Sequence, residues 1–215
     1  MDLIMDELVM RYPALECCVD KIQSAGDLLI RTYSSNHKLL VCGNGGSGAD
    51  SEHIVGELMK EFTAKRPLSV ESKQTLMHID SNYGQVLAKY LQGALPTITL
   101  TSNVSLSTAF SNDVHPQLIF AQQVWGYGLP GDILLAITTS GNSQNVIYAA
   151  VTAKAKQMKV IGLTGENKSA IDQYSDICIK VPSSITYRIQ EYHLPIYHAL
   201  CRYVEKFMFL QISSL

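Results

Sequence analysis

Apolar residues along the 215-residue chain follow two different rhythms. From Leu15 through Cys18, Ile22, Ala25 and Leu29 they recur every three or four positions, which predicts one stripe along a helix. Residues 3–33 read as helical, forming an N-terminal segment (1–35) that stands outside any sheet unit. Its stripe must pack on the domain or on another subunit. Short apolar runs then follow at KLLVCG (38–43), TITLTS (97–102), DILLAITTS (132–140), KVIGLTG (159–165) and DICIKVP (176–182). Runs of this length, bounded by turn formers, predict five buried strands. Helical stretches lie between them at about 47–62, 115–127 and 143–157, and a long last helix runs from near 187 to about 211. Residues 63–95 begin with Lys, Arg, Pro and Ser and continue as YGQVLAKYLQGAL, a helical insertion expected to cap the site. The alternation predicts an α/β fold over residues 1–215, with a parallel sheet covered by helices on both faces. Ligands of such sheets bind at the carboxyl ends of the strands, which points to the loops at 43–48, 101–113 and 138–143.

Composition narrows the function classes. With 47% apolar and 17% charged residues, the chain can bury a large core without metal or disulfide. A net charge of −2 leaves no electrostatic footprint for nucleic acid or an acidic membrane. The five cysteines (17, 18, 42, 178, 201) show no CxxC spacing and read as reduced thiols. The acidic opening MDLIMDELVMRY lacks the features of an export signal, and no apolar run reaches the ~18 residues of a membrane span. These features predict a soluble, cytoplasmic protein.

Two loops carry candidate chemistry. CGNGGSG follows a strand and precedes a helix, so glycines can bring backbone close to a ligand while the helix start offers N–H groups to an anion. TTSGNS (138–143) repeats the arrangement with hydroxyls at Thr138, Thr139, Ser140 and Ser143. Hydroxyls and amides without Lys or Arg suit a phosphate ester held by neutral donors. Each loop is equally readable as a tight βα turn with capping residues. Neither matches GxGxxG or GxxxxGK[ST], which argues against a nucleotide.

Taken together, CGNGGSGADSEHIVGEL, ITTSGNSQNVI and RIQEYHLPIYH resemble the signature segments of the sedoheptulose-7-phosphate isomerases (phosphoheptose isomerases), within the sugar isomerase (SIS) family. The resemblance covers about residues 36–205 apart from 63–95. It implies a single SIS domain with a flavodoxin-like five-stranded parallel sheet, a homotetramer, and active sites between subunits. The implied reaction converts sedoheptulose 7-phosphate to D-glycero-D-manno-heptose 7-phosphate. Substrate contacts would fall on Asn44, Gly45, Gly46, Glu57, Asn112, Asp113, Thr138, Thr139, Ser140, Ser143 and Gln190. Zinc, one per subunit and weakly bound, would take His53, Glu57, Gln190 and His198. Glu57 would be the base and His198 the acid. Two positions depart from the pattern: Tyr187 stands where some members have Asp, and Glu61 where Arg is often found.

The residues bear on this by themselves. His53 and Glu57 are four apart on one helix face, a spacing that serves a metal or an ordinary polar surface alike. Their placement, read as one turn beyond a ligand loop, favours the functional reading. Gln190 and His198 are harder to unite, because eight helical residues span ~12 Å and leave side chains ~80° apart. A kink at Pro195 would ease this. His193 has better local spacing to Gln190, although the resemblance selects His198. His37, His78 and His115 have no partner pattern. A non-catalytic SIS relative that binds a bacterial replication initiator keeps the loops but lacks the glutamate and histidine, both present here. An amino-sugar-phosphate isomerase or etherase ranks lower, and 35 residues are too few for the DNA-binding domain of a sugar-sensing regulator.

Overall fold

A computed structural model describes residues 2–210. Helix α1 (Leu3–Arg11) and α2 (Val19–Ser34) are separated by a 3-10 turn at Pro13–Cys18, so the predicted helix is broken where Pro13 cannot donate. Strand β1 (Leu39–Cys42) leads into α3 (Gly46–Met59), then α4 (Val70–Ile79), α5 (Ser81–Tyr90) and β2 (Thr97–Thr99). Helices α6 (Val104–Asp113) and α7 (Ile119–Tyr127) precede β3 (Ile133–Ile137), α8 (Gln144–Ala155) and β4 (Lys159–Gly165). Strand β5 (Ile177–Val181) and α9 (Thr186–Glu205) complete the order, with a π turn at Lys206–Leu210. The predicted end of the last helix, near 211, lies outside the described residues.

All four strand pairings are parallel, in the order β2-β1-β3-β4-β5. This is the flavodoxin-like order, with its switch point between β1 and β3. Strand residues alternate between two cores, as the pleat requires. Leu39, Val41, Ile133, Leu135 and Ile137 face α1, α2 and α9, whereas Leu40, Cys42, Leu134 and Ala136 face α7 and α8.

The stripe Leu15, Cys18, Ile22, Ala25 and Leu29 is wholly buried in the first core. Its apolar face is therefore satisfied within the protomer and provides no argument for assembly. Helix α6 contains no buried residue, and residues 101–113 were expected to be loop. Asn103 holds its start by accepting the Leu106 N–H at 3.1 Å. Residues 63–95 form an antiparallel pair, α4 and α5, whose stems are joined by a bridge between Pro67 and Gln92. The pair packs mostly on itself: α4 buries no residue and α5 only Gly84 and Ala88. No described helix is long and apolar enough to cross a membrane.

Candidate active site

Because β1 and β3 are neighbours, the loops that follow them emerge side by side. A reciprocal amide pair fastens them: Asn44 Nδ2 donates to Asn145 Oδ1 at 2.9 Å, and Asn145 Nδ2 donates to Asn44 Oδ1 at 2.8 Å. Gly45 takes φ +55° at the N-cap of α3, a conformation that favours glycine. Gly46 serves by lacking a side chain, since a Cβ there would lie 2.6 Å from Gln190 Nε2. The first loop thus touches Asn145, on α8, and Gln190, on α9.

In the second loop, the hydroxyls of Thr138 and Ser143 are hydrogen-bonded at 3.0 Å, and the Asn142 N–H donates to Ser140 Oγ at 3.1 Å. Ser143 holds the N-cap position of α8, yet its side chain makes no capping bond. Its hydroxyl is turned to Thr138 instead. Thr139, Ser140 and Asn142 wall an open cavity of about 350 Å³ together with Asn167, Lys168 and Ser183. Lys168 brings a cation that the loop itself lacks, from a segment after β4 that sequence spacing could not connect to it.

The predicted catalytic pair lies further along α3 and α9. His53 Nε2 is 3.0 Å from Glu57 Oε1, and the Tyr197 hydroxyl is 2.9 Å from His53 Nδ1. The rings of His53 and His198 meet edge to face, 5.1 Å apart, and Phe62 lies 5.6 Å from His198. Glu57 Oε2 and His198 Nε2 are buried without hydrogen-bond partners, with the Lys60 ammonium 3.8 Å from Glu57 Oε2. Burial, helped by the nearby His53, lowers the pKa of His198, which favours the neutral imidazole. Asp50 sits beside Tyr197, and burial raises its pKa.

Several expectations change. Glu57 stands three turns beyond Gly46 rather than one, ~16 Å along the helix axis. Helix α9 continues through Pro195, with Gln190 against Gly46 and His198 against His53. His193 is fully buried, and burial lowers its pKa to about 4, so it is a neutral core residue. Asn112 and Asp113 are exposed and hydrogen-bonded to one another at 2.9 Å, with no hydrogen bond to the loops. Glu61 is paired with Lys65 at 2.7 Å, and Tyr187 is exposed. His37 lies 3.7 Å from Asp132, and His115 Nδ1 accepts the Gln117 N–H.

Zinc was implied by His53, Glu57, Gln190 and His198. His53 touches both Glu57 and His198, and the two buried atoms without hydrogen bonds suit a cation. Among the described residues, however, no three His, Cys, Asp or Glu side chains are grouped to hold a metal ion, and the Gln190 amide lies against Gly46. The side chains as placed do not fit a closed zinc site.

The SIS domain model matches residues 14–78 and 70–165. The phosphoheptose isomerase of Shewanella denitrificans is 33% identical over 213 residues, covering 98% of this chain and 95% of that protein. That of Shewanella baltica is 34% identical over the same coverage. Among solved structures, phosphoheptose isomerase GmhA from Neisseria gonorrhoeae superposes with a TM-score of 0.73 at 30% identity, covering 94% of each chain. A phosphoheptose isomerase from Francisella tularensis gives 0.75 at 32%, covering 91% of each. With the strand order, both loops and the His53–Glu57 pair in place, the likeness spans essentially the whole chain, which belongs to the SIS-domain family of phosphoheptose isomerases.

Proposed function

We propose that this chain is a sugar-phosphate isomerase that converts sedoheptulose 7-phosphate to D-glycero-D-manno-heptose 7-phosphate, with Glu57 as base and His198 as acid. The observation that carries the residue assignment is that His53 contacts both Glu57 and His198, whose Oε2 and Nε2 atoms are buried without hydrogen-bond partners. Glu57 takes a proton from C1 of the ketose, and the electron pair moves into an enediolate. The carboxylic acid so formed returns a proton to C2, while the O1 proton is lost and O2 gains one. A neutral His198 serves these oxygens as hydrogen-bond donor and proton carrier, a pairing of glutamate and imidazole suited to enediol chemistry. Phosphate is assigned to Thr138, Thr139, Ser140 and Ser143; Thr139 and Ser140 line a cavity with Lys168, which adds a countercharge. Zinc is given no step. The binding-module alternative is disfavoured because Glu57 and His198 are both present and both contact His53. The free thiols suit a reducing compartment, and the cytoplasm is the proposed location.

Offering C5 to C7 ketose and aldose phosphates, with products identified by NMR, tests the reaction; tight binding of the whole panel without turnover would favour the binding module. The same panel offered to Ser143→Ala should bind about fivefold more weakly, the effect of one lost hydrogen bond of ~1 kcal/mol. Helix stability should not change, because the hydroxyl is not a cap. Unchanged affinity in calorimetry would place the phosphate elsewhere.

Assembly completes the reading. The cavity walled by Thr139 and Ser140 includes neither Glu57 nor His198, so phosphate loop and base are not joined in one cavity of the protomer. A site completed by a second subunit resolves this, and a homotetramer is the proposed form. Ile79, Tyr83, Val86 and Tyr90 on α4 and α5 are exposed and offer apolar contact area. Light scattering should show a tetramer at micromolar concentration, and a stable, active monomer would overturn the shared site.

A further inference from the structure

We infer that Arg66 and Glu205 are positioning residues, a buried clamp that sets Glu57 and His198 against one another; the inference rests on the catalytic reading above. Both side chains are wholly buried, and Arg66 Nε donates to Glu205 Oε1 at 2.7 Å. The remaining fork of the guanidinium turns to the end of α3. Nη2 donates to the carbonyl of Glu57 itself at 3.0 Å, and Nη1 to that of Leu58 at 2.7 Å. These are among the carbonyls that a helix leaves without intrahelical partners at its C-terminus. Glu205, two turns beyond His198 on α9, accepts the N–H groups of Phe62, Thr63 and Ala64 at 2.8–3.0 Å and the Thr63 hydroxyl at 2.7 Å. The turn so held presents Phe62 to the His198 ring.

One pair of charges therefore grips the base through its own backbone, the acid through its helix, and the acid's ring through a neighbouring phenyl. Neither charged side chain faces the cavities that could receive a ligand. Catalysis depends on such spacing steeply, since a misplacement near 1 Å can cost about 10²-fold.

Arg66→Lys tests this, because it keeps the charge while losing the planar fork that reaches three oxygens. Turnover should fall by about 10²-fold with KM held within about threefold, the pattern of geometry lost at the reacting atoms. The His198 ring resonances should shift in ligand-free protein. Thr63→Val removes only the hydroxyl bond to Glu205 and should give the same pattern at about threefold. Val124→Ala, buried in the opposite core, serves as a control that loses thermal stability with unchanged kcat. An Arg66→Lys protein with wild-type kcat overturns the clamp. So does Arg66→Lys failing to fold while Thr63→Val leaves both kcat and the His198 resonances unmoved. Glu57→Gln reports separately: wild-type turnover there removes the catalytic reading, whereas an inactive Glu57→Gln beside a fully active Arg66→Lys removes the clamp alone.

Discussion

Glu57→Gln is expected to lower turnover by about 10³-fold or more while sugar-phosphate binding survives, since a positioned base contributes ~10²–10⁴. The amide has nearly the shape of the carboxylate but cannot take a proton from C1. Its amino group can also donate to His53 Nε2 across the present 3.0 Å contact, so the local fold has reason to persist. Binding is preserved because the phosphate donors lie on the separate 138–143 loop, between β3 and α8. Wild-type enzyme working in deuterium oxide should incorporate label at the carbon next to the carbonyl, and the variant should not. A Glu57→Gln protein with undiminished turnover would reject the base.

Glu205→Ala is expected to lower the free energy of unfolding by about 3–5 kcal/mol, the usual effect of leaving one member of a buried pair alone. Arg66 would keep its charge with no water to solvate it, and three backbone N–H groups together with the Thr63 hydroxyl would lose their acceptor. The same pair makes stability depend on pH. Burial pushes the Glu205 carboxyl upward, but the Thr63 hydroxyl, the Phe62 and Thr63 N–H groups and the Arg66 charge outweigh it and bring the pKa below 4.5. A carboxylate lowered in the folded state adds stability above its ordinary pKa, and that contribution is lost as pH falls through the folded value. Denaturant titrations at pH 7 and near pH 3 should therefore differ less for Glu205→Ala than for wild type. Equal pH dependence would remove Glu205 as a source of acid sensitivity.

The periodicity that reveals a buried strand needs only four or five residues, so all five strands were legible. Helix α6 was not, because all its residues keep contact with water and no stripe marks it; only Asn103 signals its start. His53 and Glu57 could be paired from their spacing, since four residues bring side chains onto one face. The separation of eight positions between Gln190 and His198 already argued against one common point, and the structure keeps them on separate neighbours. Tyr197 on His53, Asn145 on Asn44 and Lys168 beside Ser140 join segments distant in the chain. Composition and spacing carry no information about such encounters.

The first core has a consequence for how the protein is made. Helix α2, early in the chain, lies against α9 at its far end, and Arg202 reaches back to Glu7 across 195 positions while Lys206 reaches Asp2 across 204. On a ribosome the stripe of α2 emerges long before its cover exists, at roughly 5–20 residues per second. For about ten seconds or more the nascent chain carries an open apolar face, and loop-closure entropy must be met before α9 can shield it. Closure of this core therefore waits on the synthesis of α9, and the open face is the interval in which the chain is most exposed to aggregation.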